Sequence, residues 1–187
     1  MFDKTLKSAE RVSRWLVWIG GTLILGSAIL VTIEVFLRKF LNVSLGGADE
    51  ISGYAFGVAT SLGFSYALFE RAHIRVDALY VFLPRTLRRL ADLVGLALLI
   101  GFAGVIAWMA WGLVADTLDN GSRSITPMRT PLAIPQIPWL IGWLFFVGCG
   151  VLMFVAAVVN HLTGQSDKAD RSIGMKTLSE QIEDETV

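Results

Sequence analysis

Residues 139–159 read WLIGWLFFVGCGVLMFVAAVV, twenty-one positions without one Asp, Glu, Lys or Arg. At 1.5 Å of rise per helical residue, about 20 apolar residues cross a hydrocarbon core of about 30 Å. Three further stretches meet the same length: residues 15–37, 51–69 and 90–114. The second also lacks charge, and the first and third hold one acid each, Glu34 and Asp92, near an end. A soluble core does not repeat this pattern four times, and a chain that is 54% hydrophobic has membrane-protein composition. The expectation is an all-α integral membrane protein with four transmembrane helices in one domain over residues 1–163. An acidic tail over 164–187, with six acids against three bases, is expected to be solvated and flexible.

Charge sets the expected orientation. Lys4, Lys7, Arg11 and Arg14 precede the first span, five arginines (71, 75, 85, 88 and 89) lie between spans two and three, and three bases lie in the tail. The other two loops hold Arg38 with Lys39 and Arg123 with Arg129. Twelve bases against four, alternating by loop, is the positive-inside pattern of a chain with both termini in the cytoplasm. The six tryptophans, Trp15, Trp18, Trp108, Trp111, Trp139 and Trp143, all fall at span ends, where an indole has an apolar ring and a wet N–H. The first apolar run is too long for a signal peptide and is expected to stay as an anchor.

Between spans two and three, Val76, Leu79, Tyr80 and Leu83 recur at the spacing of one helical face. A short amphipathic interfacial helix stopped at Pro84 is expected there, with a polar loop as the alternative. Four prolines at 127, 131, 135 and 138 predict an extended, stiff, non-helical segment over Ser124 to Pro138. None of the four spans contains an internal proline.

Several function classes lack their residues. No glycine-rich phosphate loop, metal-ligand cluster or nucleophile with its base is present, and zero net charge gives no sign of a nucleic-acid partner. His73 and His161 sit at span boundaries rather than within the membrane, against a haem-carrying subunit. Cys149 lies within the fourth span and reads as a small packing residue. A self-sufficient carrier needs interrupted helices or buried charge near the bilayer midplane, and neither occurs.

Glu34 is the informative intramembrane acid. Arg38 lies four residues on, within reach on the same face, so an interfacial ion pair is one reading. Pairing with a partner subunit and a proton relay in a small self-associating exporter are the others. In span two, Gly53, Gly57, Ser61 and Ser65 make one small-residue ridge. Ala55, Ala59, Gly63 and Ala67 make another on nearly the opposite face. Small residues let membrane helices approach closely, so this helix is expected to be sandwiched, either between two neighbours of its own chain or between its own chain and a partner.

The run Asp49-Glu50-Ile51-Ser52, the Gly- and Ala-rich span and the element Arg71-Ala72-His73-Ile74-Arg75-Val76-Asp77, followed by Leu79 and Leu83-Pro84, resembles a known pattern. It is that of the small membrane (Q) subunit of tripartite ATP-independent periplasmic (TRAP) transporters. The resemblance implies an accessory scaffold in the bacterial inner membrane, with no catalytic or cofactor site of its own. Its partners would be a large multi-span subunit that carries the sodium and substrate sites, a periplasmic protein that delivers an organic anion, and membrane lipids. By position, Arg71, His73, Arg75 and Asp77 would belong to the family's cytoplasmic-boundary element and Glu50 to its outer-boundary acid. Snorkelling anchors, an amphipathic face and a helix-start acid explain the same residues. The competing functions are a proton-coupled exporter using Glu34 and the small subunit of another tripartite uptake system.

Overall fold

A computed structural model describes residues 2–71 and 84–163. The expected interfacial helix and the acidic tail lie outside these residues. Four helices make up the described chain: α1 (Phe2–Leu41), α2 (Ala48–Phe69), α3 (Arg85–Asn120) and α4 (Ala133–Leu162). At 1.5 Å per residue α1 is about 60 Å long and α3 about 54 Å, well beyond a hydrocarbon core of about 30 Å. The expected spans 15–37 and 90–114 are therefore the apolar middles of longer rods. The polar first turns of α1 stay helical because Leu6 and Ala9 pack onto the main core cluster and Ser13 is buried.

Helix ends follow local chemistry. Asn42 (φ 52°) turns left-handed after α1, a conformation Asn tolerates, and the Val43 N–H donates back to the Leu37 carbonyl at 3.4 Å. Gly121 (φ 57°) does the same after α3, with the Ser122 N–H on the Thr117 carbonyl at 3.0 Å. Asp49 and Glu50 occupy the first turn of α2, where the helix dipole favours negative charge.

The start of α4 corrects the expectation of a non-helical segment up to Pro138. The chain is helical from Ala133, with Pro138 inside the helix. Pro135 falls in the first turn, whose N–H groups have no intrahelical acceptor, so it removes nothing. Pro138 leaves only the Ile134 carbonyl without its usual donor.

The helices form an open layer in the order α1, α2, α4, α3, each packed mainly on its neighbours in that order. α4 is the spine. It supplies four of the seven buried residues of the main core cluster, Phe146, Cys149, Met153 and Ala157, which meet Leu68, Leu96 and Ala103. Each packed pair has a glycine against which the neighbouring helix fits closely. A Cβ on Gly20 would lie 3.2 Å from the Ala59 backbone, one on Gly142 2.5 Å from Ser61 Oγ, and one on Gly150 2.7 Å from Ile100 Cγ1. The two ridges of α2 thus have two neighbours from their own chain: Ala59 faces α1 and Ser61 faces α4.

Among the described residues three helices, α1, α3 and α4, are long and apolar enough to cross a membrane by length and composition. Only 6% of the most apolar stretch of α1 is buried within the chain, against 39% for α4, which marks α1 as an edge and α4 as interior. α2 is long enough at 22 residues but is diluted by Gly, Ser, Thr and Tyr. Helices on both sides take the place of lipid, so small residues serve it better than large apolar ones. Trp143 also departs from the boundary role expected of it: its ring packs into the layer against Phe64 at 5.0 Å and Phe146 at 6.1 Å.

Gly142→Leu is expected to push α2 from α4 and to destabilise the chain by about 1–3 kcal/mol through overpacking. Gly104→Leu, where an added Cβ meets nothing within 4 Å, is expected to change stability by under about 0.5 kcal/mol. Thermal unfolding of the two variants in detergent measures the contrast.

Candidate functional site

The chain reverses at one end of the layer through two loops, residues 42–47 and 121–132, and a glutamate anchors each. Glu34, in the penultimate turns of α1, is 2% exposed and has both oxygens engaged. Oε1 accepts Arg38 Nη2 at 2.8 Å and the Ser44 hydroxyl at 2.6 Å, and Oε2 accepts the Leu45 N–H at 2.7 Å. Ser44 Oγ in turn accepts the Gly46 N–H at 3.1 Å, a serine turn that presents the loop to the carboxylate. The ion pair expected with Arg38 is formed, but the Arg38 side chain is 62% exposed, and two loop donors complete the arrangement. Every one of these contacts lies within the chain.

Glu50 plays the corresponding part for the second loop. That loop is a small hairpin: the Leu132 N–H donates to the Ser122 carbonyl at 3.1 Å, Ser124 to Thr130 at 2.9 Å and Arg129 to Thr126 at 3.0 Å. The Thr126 hydroxyl donates to Glu50 Oε2, and the Tyr54 hydroxyl reaches Oε1 at 2.7 Å. Ser124 Oγ accepts the Thr126 N–H at 3.2 Å, a second serine turn. Met128 lies over Gly47, where a Cβ would stand 1.8 Å from its sulfur, so the two loops are also packed against each other. Ile125 projects fully exposed from the hairpin.

Glu50 precedes the apolar run of α2. The Thr126 hydroxyl above all, with Tyr54 adding, holds its carboxyl below the usual carboxylate range, against the opposing effect of burial.

Below the loops, Gly53 and Gly57 line a cavity of about 210 Å³ between α2, α3 and α4, whose walls include Leu113 and Trp139. Ser61, on the same ridge, is buried against Gly142 instead. Arg71 is at the opposite end of α2, in a left-handed conformation (φ 56°) uncommon for a long side chain, with its N–H on the Leu68 carbonyl at 3.1 Å. His73, Arg75 and Asp77 lie outside the described residues. The structure therefore divides the sequence candidates. Glu34, Arg38, Glu50, Gly53 and Gly57 gather toward the two-loop end, Ser61 belongs to a helix interface, and Arg71 stands at the far end. Ser44, Tyr54 and Thr126 join the site without being charged or small-ridge residues. Ser44 before Gly46-Gly47 and Ser124-Ile125-Thr126-Pro127 are turn signatures that pointed to the first and third.

Among the described residues no group of His, Cys, Asp and Glu side chains could hold a metal ion. Long apolar helices in a layer, with polar side chains tying down the loops at one end, define an all-α membrane protein. The model for the family "Tripartite ATP-independent periplasmic transporters, DctQ component" matches residues 27–165, and the chain belongs to that family. It is thus a component of a transporter, not an enzyme. Comparisons with curated proteins and with solved structures give no match.

A carboxyl lowered by folding adds stability above its unfolded pKa of about 4.3, and that stability is lost as pH falls through the folded value. The hairpin is expected to stay attached through neutral pH and to loosen only in acid below the ordinary Glu range. NMR shifts of the Thr126 amide should show this transition, and Glu50→Gln should remove it.

Proposed function

We propose that this chain is the small permease subunit of a sodium-coupled TRAP-type importer of an organic anion, acting as a scaffold beside a large multi-span subunit. Both termini are cytoplasmic in this reading, all four helices span the inner membrane, and the two-loop end faces the periplasm. The positive-inside charge pattern supports the orientation, and the sandwiched position of α2 accounts for its low apolar density as a span.

The observation that carries the scaffold role is the open layer. A closed bundle would satisfy its own helix faces, whereas here α1 and α3 are edges with continuous exposed apolar stripes. Trp15, Trp18, Leu25, Ile29, Ile33, Phe36 and Phe40 run down α1, and Leu98, Phe102, Val105 and Met109 run down α3. Such edges suit lipid and the helices of a large partner. The anchored loops suit contact with a soluble periplasmic protein that delivers the anion, because a surface ordered beforehand loses little entropy on docking. Sodium and substrate sites are assigned to the large subunit, since Glu34 and Glu50 are both engaged in holding loops.

Co-purification from native membranes should recover a large multi-span protein, and the isolated chain in liposomes should transport nothing; transport by the chain alone would overturn the proposal. Glu34→Gln loses its charge-assisted bonds to the first loop. It is expected to lower the yield of assembled complex several-fold while the remaining complex keeps its sodium coupling. Normal assembly with lost coupling would instead support the exporter reading. In a Cys149→Ser background, Ile125→Cys should react with an impermeant maleimide on intact spheroplasts and Lys7→Cys should not.

A further inference from the structure

The exposed edge of α1 is graded along its length. At about 100° of turn per residue, Lys4, Lys7, Arg11, Arg14, Trp15 and Trp18 share one arc about 100° wide with the apolar stripe from Leu25 to Phe40. All six are exposed, Trp15 at 68% and Trp18 at 70%, whereas Ser13, Gly20 and Glu34 are buried on the side that meets the layer. One face therefore carries four bases, then two indoles, then aliphatic and phenyl side chains. That is the order of groups met on entering a bilayer leaflet. Spacing agrees with the order. From Trp18 to Arg38 the rise is about 30 Å, one hydrocarbon core. Arg14 and Arg11 lie about 6 and 10 Å outside Trp18, within and at the surface of a headgroup layer about 5–8 Å deep. Lys7 is about one Debye length, roughly 8–10 Å, farther out than that layer, and Lys4 lies beyond it.

Two observations select lipid over a partner helix for this face. Close contact between membrane helices uses small side chains, and α1 turns Gly20 onto Ala59 of α2 while its exposed stripe is built of large ones. The hydroxyls of Thr22, Ser27 and Thr32 all donate to carbonyls of their own helix, at 2.8, 2.8 and 2.7 Å, so they ask for no donor or acceptor from a neighbour. Charge then selects the kind of lipid. Residues 2–18 hold four bases against two acids, Asp3 and Glu10. Among the described residues Lys4, Lys7 and Arg11 make no ion pair, and the contact of Arg14 with Glu10 at 3.4 Å is an exposed pair that contributes little. Guanidinium groups at headgroup depth match phosphate oxygens, and the excess of positive charge favours a headgroup with no cation of its own.

We propose that the start of α1 binds anionic phospholipid of the cytoplasmic leaflet, with Arg11 and Arg14 on the phosphate, Trp15 and Trp18 at the headgroup boundary and the acyl chains along Leu25 and Ile29. The proposal rests on the reading of α1 as a span that begins in the cytoplasm. It assigns the α1 edge to lipid and leaves the α3 edge for the large subunit.

Fluorescence quenching tests it on the full chain in phosphatidylcholine nanodiscs that contain a minor share of brominated lipid. The emission of Trp15 and Trp18 is taken as the difference between the native chain and a variant with Trp15→Phe and Trp18→Phe. Brominated phosphatidylglycerol should quench that emission at least about twofold more than brominated phosphatidylcholine at equal mole fraction. Arg11→Gln with Arg14→Gln should make the two lipids equal. Lys4→Gln, at the far end of the stripe, should keep most of the preference, and Arg123→Gln with Arg129→Gln should keep all of it. Three results would each overturn the proposal: equal quenching in the native chain, an undiminished preference in the folded Arg11 and Arg14 double variant, or cross-linking of Leu25→Cys, in a Cys149→Ser background, to a partner polypeptide in the assembled transporter. Quenching by neither lipid would overturn the span reading itself, and the proposal with it.

Discussion

At one level of α2, two contacts two residues apart fix the molecule. Ala59 meets Gly20 of α1, and Ser61 meets Gly142 of α4. Two residues turn a helix through about 200°, so the neighbours lie on nearly opposite sides of α2. In a closed bundle the neighbours of each helix sit closer to a right angle, and the fourth helix returns to the first. Opposed contacts make a line instead. The layer order α1, α2, α4, α3, the exposure of α1 and α3 and the cavity beside α4 all follow from that geometry.

Those opposed contacts were legible in the sequence, because the two small-residue ridges are offset by the same near half-turn. What the ridges touched was not legible, since a neighbour within the chain and a partner subunit ask for the same small side chains. The Glu34–Arg38 pair could be read from its spacing of four. The apolar middles of the helices could also be read, because the cost of placing polar groups in hydrocarbon dictates them. Their true lengths could not, because polar first turns are held by packing of residues such as Leu6 and Ala9. Prolines misled for a related reason: at 135 and 138 they sit near a helix start, where a missing N–H matters least. The Glu50–Thr126 bond joins residues 76 apart in sequence, and no local pattern encodes it.

The two glutamates put the same chemistry to the same use. Each takes donors from a loop folded around a serine turn, and each leaves the loop's outward side chains free. Ordered loops over an apolar layer give the protein one stiff face beyond the helices, while the edges of the layer remain adaptable. Family membership makes the chain a component of a transporter, and this division gives that component one ordered face and two apolar edges.

The order of helices in the layer is not their order of synthesis. α1 and α2 can pair as soon as both have emerged, but α3, made next, finds its main partner only in α4, which is made last. Until then α3 lacks its main partner and α2 has one ridge without its α4 neighbour. Glu50 likewise waits for Thr126, so the loop tie closes only after the last hairpin has been made. A chain truncated before α4 would therefore lose the spine of the layer rather than its final quarter.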